Sequence, residues 1–273
     1  MEKNRRRKSK ARSPKSWHSV VVVIVLKAPH EIEIMREANL HLYEILNLLE
    51  AAALPGTSTA ELDRIAEDEI NKRGLKSPFL GYANPPYPAV LCTSINEVVV
   101  HGIPSKSVKL KDGDIIGIDF GVIHRGYVGD SARTVCVGNV AAEFRQLVDV
   151  ARESLERGIQ ACVVGGRVRD IGKAIEEYVT PFGYSMVRDF VGHGIGTRMH
   201  EEPQVPNYYS RDATVRLKAG LVIAIEPMVN MGTHEVRTLS DGWTAITADH
   251  MRSAHFEHSV AITDHGAVVL SRP

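Results

Sequence analysis

The chain has 273 residues, 44% hydrophobic and 24% charged, enough for one large core or two small ones. Lysine plus arginine and aspartate plus glutamate each total 33, so no global field singles out nucleic acid or a membrane surface as partner. Three cysteines (Cys92, Cys136, Cys162), odd in number and without metal-ligand spacing, argue against a disulfide scaffold and for a reducing, cytoplasmic setting.

The balance hides an asymmetry. Residues 1–16 hold eight Lys/Arg against Glu2 alone, which leaves the remaining chain at a net −7. Residues 1–19 read as a basic, disordered extension with too little apolar surface to fold; their charge suits phosphate-rich partners such as ribosomal RNA. Val20–Leu26 superficially imitates a secretory signal. It is too short to span a bilayer, and Lys27-Ala28-Pro29 offers a poor cleavage site, so a β-strand is expected. Residues 20–273 are then expected to form a single domain.

From Glu31, apolar Met35, Ala38, Leu42, Ile45, Leu46 and Leu49 recur at helical spacing. Pro55-Gly56 ends that helix, and Ser58 or Thr59 can cap a second through Leu62, Ile65, Ala66 and Ile70, stopped at Gly74. A proline-rich loop (Asn84-Pro85-Pro86-Tyr87-Pro88) precedes strands near Ala89–Thr93 and Val98–Val100. Ile115–Phe120 and the stretch from Val128 onward predict a hairpin. Two further amphipathic helices follow, one through Phe144, Leu147, Val148, Ala151, Leu155 and Ile159, the other through Ile171, Ala174, Ile175, Tyr178 and Val179. Gly165-Gly166 separates them. Met186–Leu270 is strand-rich.

The hairpin carries an anomaly. Asp119 interrupts an isoleucine-rich strand, and a turn centred on His124–Arg125 would set it opposite Asp130. Opposed, buried carboxylates repel and require a cation or protonation. The pattern also repeats. KDGDIIGIDFGV (111–122) aligns with KAGLVIAIEPMV (218–229) at a shift of 107, placing Asp119 on Glu226. Each copy follows a helix, a glycine break, a second helix and a His-Gly-Ile step, at His101 and at His193. Duplicated helix-helix-sheet halves give an α+β fold with helices on one side of a curved antiparallel sheet. Asp119, Asp130 and Glu226 would then share one pocket, tolerable with about two divalent cations.

The second half adds His193 and His200 in VGHGIGTRMHEEPQVPNY, whose glycines would let backbone approach a bound group, and Glu257 in AHFEHSVAI. HExxH fails, because Pro203-Gln204 follows His200-Glu201-Glu202. No C-x-x-C, G-x-S-x-G or P-loop ending is present. Asp119, Asp130, His193, Glu226 and Glu257 remain, an oxygen-rich set with one nitrogen that suits Mn, Fe, Co or Zn and two-metal hydrolysis.

That constellation, together with PGTSTAELD (55–63), CTSINEVVVHGIP (92–104), IDFGVIHRGYVGDSART (118–134), GHGIGTRMHEEPQVPNY (192–208), AIEPMV (224–229) and DGWT (241–244), resembles type I methionine aminopeptidase of the pita-bread fold. The resemblance runs from about Val20 to the end. It implies a cytoplasmic, monomeric enzyme that removes N-terminal methionine from peptides and nascent chains through a water bridging two metal ions. Asp119 would chelate one metal, Asp130 and Glu257 would bridge both, and His193 and Glu226 would complete the other. Glu226 would also move the water's proton, His200 would meet the substrate carbonyl, and His101 the scissile amide. Cys92, Tyr82, Tyr87, Trp243 and Phe79 are the pocket candidates, with Tyr82 and Tyr87 left open because the loop between them is longer and richer in proline than the family's. Asn96 and Ser253 would lie near an accessory monovalent-cation site. The basic extension would offer a ribosome contact.

Overall fold

The computed structural model describes residues 23–273; the basic extension and the first residues of the Val20–Leu26 run lie outside the described residues. Helix α1 (Pro29–Ala52) starts with proline in its first turn, and the Glu31 carboxylate accepts the Ala28 N–H at 2.7 Å. Its six predicted apolar positions are all buried. Helix α2 (Thr59–Lys72) is capped by Ser58, whose hydroxyl accepts the Glu61 N–H while Glu61 accepts the Ser58 N–H at 2.7 Å. Helices α3 (Ala142–Gln160) and α4 (Val168–Val179) repeat the pair.

The strands of the first half are β1 (Leu91–Ile95), β2 (Val98–Val100), β3 (Ile115–His124) and β4 (Tyr127–Cys136). Those of the second begin with β5 (Ser185–Met186), β6 (Gly192–Gly194), β7 (Glu201–Val205), β8 (Val222–Ile225) and β9 (Met228–Asn230). They continue with β10 (Val236–Thr238), β11 (Ala245–Thr247), β12 (Ser253–His255), β13 (His258–Thr263) and β14 (Gly266–Val269). Pairing is antiparallel throughout, in sheets ordered β1-β3-β4, β14-β13-β8-β6-β7, β12-β9-β5 and β10-β11-β2. Helices α1 and α2 pack on β1 and β3 through Leu42, Leu46, Leu62, Leu91, Ile116, Ile118 and Phe120. Helices α3 and α4 pack on β8, β9 and β13 through Leu155, Ile171, Ile175, Ile223, Ile225 and Val260. The protein has the α+β pita-bread architecture.

The duplication is written into backbone hydrogen bonds. Gly56 N–H donates to Leu110 O at 2.7 Å, as Gly165 does to Leu217 at 2.8 Å. Thr59 donates to Val108 and Val168 to Val215, both at 3.0 Å. Gly113 donates to Val137 and Gly220 to Ile262, both at 2.9 Å. Val108 and Val215, Leu110 and Leu217, and Gly113 and Gly220 keep the 107-residue shift seen in the sequence. The halves join where β4 meets β12 and β13, largely through hydroxyls. Ser131 Oγ donates to Glu257 O at 2.7 Å, and Ser259 Oγ donates to Asp130 O at 2.8 Å while accepting the Asp130 N–H. Thr134 Oγ1 bridges the N–H and C=O of His255, both at 2.9 Å.

Two expectations are corrected. Val23–Leu26 forms no strand: Val23 is 67% exposed, and the nearest backbone anchor, Lys27 N–H to Gly220 O, lies after the run. β-Branched composition alone does not make a strand without an edge to join. The hairpin turns at Arg125–Gly126, both at positive φ (48° and 86°) as a two-residue turn requires, so His124 pairs with Tyr127. Asp119 therefore faces Ala132 and Asp130 faces Gly121. The two acids share a face as diagonal neighbours, which keeps them in one cluster.

Because Ser259 satisfies both backbone groups of buried Asp130, Ser259→Ala should lower stability by about 1–3 kcal/mol. Urea denaturation with divalent metal present measures this, and an unshifted midpoint would show that the seam gains nothing from the hydroxyl.

Candidate metal centre

The expected metal-ligand, catalytic and pocket residues line a single cavity of about 290 Å³ (Tyr82, Tyr87, Cys92, His101, Asp119, Asp130, His193, His200, Glu226, Trp243 and Glu257, with Phe79), while Asn96 and Ser253 are outside its lining. Ala83, Val100, Phe190, Val191 and Met199 complete the wall. One end is acidic. Asp130, His193 and Glu257 each offer a ligand atom, and these atoms lie within 4.8 Å of one another. Glu226 Oε1 is 3.5 Å from His193 Nε2, and Asp130 Oδ2 is 3.9 Å from it. Asp119 lines the same cavity outside that tightest group.

Strand geometry explains the convergence. Asp119 comes from β3 and Asp130 from β4, while Glu226 follows β8 and Glu257 precedes β13. His193 sits mid-β6, flanked by glycines. A Cβ on Gly192 would lie 2.4 Å from Ala224 O, and one on Gly194 would lie 2.2 Å from Glu202 O. These glycines let β6 fit between β8 and β7. The loop onward to His200 is clamped by a buried Lys27–Glu201 ion pair at 2.6 Å, which fills the space a side chain on Gly196 would need.

Burial dominates the electrostatics. It pushes the Asp119 carboxyl up to about 7 and holds Asp130, Glu226 and Glu257 well above the usual carboxylate range, reinforced for these three by the Asp119 charge. The same desolvation lowers His193 to about 3. The ring is therefore neutral, and with Nδ1–H donating to Gly194 O at 3.0 Å, Nε2 keeps a lone pair toward the carboxylates. Asp130 Oδ1 and Glu257 Oε1 are buried without hydrogen-bond partners. Orphaned carboxylate oxygens beside a neutral imidazole are the donor set that divalent transition metals take.

The other end is apolar. Tyr87 is 3% exposed and its hydroxyl donates to Leu91 O and Gly102 O at 3.1 and 3.0 Å. It forms a fixed wall, edge-on to Trp243 with ring centroids 5.1 Å apart. Tyr82 is 38% exposed and stands at the rim, its hydroxyl hydrogen-bonded to His200 Nδ1. The sequence left these two tyrosines open, and the fold gives them different places. Burial raises the Cys92 thiol far above its ordinary value, so it contributes an uncharged wall and no thiolate. His101 holds φ 60°, and its neighbour Gly102 packs so tightly on β1 that a Cβ would lie 2.1 Å from Thr93 O. Its ring, lowered to about 4 by burial, lies between Phe190 and Trp243.

His255 was missed. It is buried, its Nε2 lacks a hydrogen-bond partner and lies 3.8 Å from Glu226 Oε2. Its place two residues before Glu257 was the available signal, but one-sided spacing in a strand does not show which face is occupied. Phe190 and Met199 carried no distinguishing pattern. The Asn96 side chain is engaged by Asp114 and the Ile115 N–H at 2.9 and 3.2 Å, and its carbonyl accepts the Ser253 N–H at 2.9 Å.

The raised Asp119 value has a sign. Without metal, the folded protein holds a proton that the unfolded chain releases, so this group lowers stability as pH rises from about 4 to about 7. Asp119→Asn removes that contribution. Chelated Asp119→Asn protein should melt progressively higher than the parent across this window, and divalent metal should reverse the order. Parallel melting temperatures from pH 4 to 8 would refute the electrostatic account. Buried neutral histidines pull the other way below about 6.5, but they are common to both proteins.

The sequence profile described as metallopeptidase family M24 matches residues 33–264. The chain is 49% identical over 249 residues to a methionine aminopeptidase of Clostridium acetobutylicum, covering 91% of this chain and 99% of the relative. It is 46% identical to methionine aminopeptidase 1 of Bacillus subtilis, covering 92% of this chain and 100% of that protein. Its structure is similar to that of methionine aminopeptidase from Thermotoga maritima, with TM-score 0.89, 39% identity, and coverage of 92% of this chain and 100% of that one. An Xaa-Pro dipeptidase from Bacillus anthracis, 22% identical with TM-score 0.74, shares the fold; it covers 91% of this chain and 62% of that one. The chain belongs to metallopeptidase family M24, the family of the methionine aminopeptidases to which it is similar.

Proposed function

We propose that this chain removes the N-terminal methionine from peptides and nascent proteins, acting as a cytoplasmic monomer that holds two divalent metal ions. One observation carries the reading: a neutral imidazole and orphaned carboxylate oxygens at one end of a cavity whose other end is an apolar slot. The relatives' names supply the substrate class, and three unpaired cysteines agree with a reducing compartment.

Asp119, Asp130, His193, Glu226 and Glu257 would hold the metal ions. When bound, ions of this kind lower the pKa of water and polarise a carbonyl. The remaining work falls to side chains. The apolar wall of Phe79, Tyr87, Cys92 and Trp243 takes the methionine side chain, an unbranched thioether suited to a narrow slot. Glu226, ionised when its charge is balanced by bound cations, would accept the proton of the attacking water as a carboxylate and deliver it to the amine as the peptide C–N bond breaks; burial, which raises its proton affinity, suits it to that base role. His200 faces the carbonyl oxygen, on which negative charge accumulates, and His101 contacts the scissile amide. No helix among the described residues is long and apolar enough to cross a membrane. The basic extension would serve contact with the ribosome.

Release of methionine from Met-Ala-Ser should depend on added Co, Mn or Fe, with an X-Pro peptide left uncut. Absence of cleavage under all three metals would refute the assignment. His200→Ala should lower kcat by about 100-fold or more while bound metal, measured by elemental analysis, stays at the parent's level. Loss of metal in that variant would place His200 among the ligands.

A further inference from the structure

Tyr82, at the start of the proline-rich stretch, is the tyrosine to which the reading above gives no task. The loop around it is tightly tied. Tyr82 N–H donates to Phe79 O, Tyr87 N–H returns to Tyr82 O, both at 2.9 Å, and Gly81 N–H donates to Tyr87 O at 2.8 Å. Its far side is fixed to the second half of the chain, where Trp243 Nε1–H donates to Pro85 O at 3.1 Å. The loop thus closes on itself and is moored beside the cavity. From this footing Tyr82 reaches across the mouth and bonds His200 Nδ1, with ring centroids 5.3 Å apart.

We propose that Tyr82 is a positioning residue that fixes the tautomer of His200, its hydroxyl donating to Nδ1 so that Nε2 carries the proton and faces the cavity as a hydrogen-bond donor. The proposal rests on the role given to His200 above. A neutral imidazole has one donor and one acceptor nitrogen, and the partner of one nitrogen decides the state of the other. His200 lines the cavity with its ring edge-on to that of His193, centroids 4.3 Å apart, and with Nδ1 engaged by Tyr82 the remaining nitrogen is the one left for a substrate. A substrate carbonyl oxygen can use only a donor. With the opposite tautomer, His200 would present a lone pair to that oxygen and repel it.

This separates Tyr82 from Tyr87, whose hydroxyl is spent on Leu91 O and Gly102 O and has no ring nitrogen to orient. It also gives the loop a reason for its rigidity. A hydrogen bond that sets a tautomer requires its donor to be held in place, and the Trp243–Pro85 contact does so from the opposite half of the molecule.

The test is a cycle of Tyr82→Phe, His200→Ala and the double variant, assayed on Met-Ala-Ser with metal bound. Tyr82→Phe should lower kcat about tenfold, the worth of one oriented hydrogen bond, with KM changed little. In the His200→Ala background the same change should have no further effect. Nitrogen-15 spectra of zinc-loaded, histidine-labelled protein should show His200 protonated at Nε2 in the parent, with that preference lost in Tyr82→Phe. If Tyr82 serves only as an apolar rim, Tyr82→Phe will match the parent and Tyr82→Leu alone will raise KM. That outcome, additive losses in the cycle, or an Nδ1-protonated ring in the parent overturns the proposal. The spectra report the tautomer whether or not peptide is cleaved, so a failure of the functional reading is distinguishable from a failure of this one.

Discussion

Four carboxylates withdrawn from water around one small cavity are the constraint on which the structure turns. Each acid is costly alone, and together they raise one another's proton affinity, so an isolated cluster would hold protons at neutral pH. A fold that keeps them has to fix the backbone beneath each, because any freedom would let the acids swing toward solvent. The fixing is done by sheets: Asp119 and Asp130 come from one hairpin, Glu226 and Glu257 flank paired strands of the other half, and hydroxyls of Ser131, Thr134 and Ser259 lock the two together. On the proposed reading, the repulsion stored there is what two metal ions relieve.

The duplicated architecture explains why such a site is reachable by a single chain. Each half contributes an acid at the same place in its repeat, Asp119 and Glu226, and the matching hydrogen bonds from the glycine breaks to the strand entrances show that each helix pair is hung on its sheet in the same way. The halves are not equivalent in what they add. The first supplies His101, Cys92 and the aromatic wall near Tyr87; the second supplies His193, His200 and Trp243. The repeat therefore accounts for one acid from each half, and the residues outside it, Cys92 and Tyr87 in the first half and Trp243 in the second, shape the slot.

Much of this was legible from residues. An acid interrupting an isoleucine-rich strand is visible in sequence, and doing so twice at a fixed shift made Asp119 and Glu226 stand out. Helices were readable because their apolar spacing agreed with their caps. What failed depended either on one turn residue or on partners far away in the chain. The hairpin register turned on whether Arg125 would accept a positive φ, which favours glycine and asparagine in general statistics. Lys27 entered the sequence reading only as part of a poor cleavage site, yet it is buried against Glu201, 174 residues later. Val23–Leu26 had strand composition but no edge to join. His255 became noticeable once Glu226 lay beside it. Local pattern gives element type; register and long-range pairing decide which side chains meet.

The seam between β4 and β13 also has a consequence in time. Asp119 and Asp130 are synthesised long before Glu257 and Ser259, so a growing chain carries an exposed acidic hairpin whose partners do not yet exist. Until β13 arrives, Asp130 lacks the hydroxyl that satisfies its backbone, and the cluster lacks a carboxylate. On the proposed reading, a chain interrupted before Glu257 lacks one of the carboxylates that would hold the metal ions, even with its first half folded. The order of synthesis thus brings in the candidate site's last acid together with the strand that closes the seam.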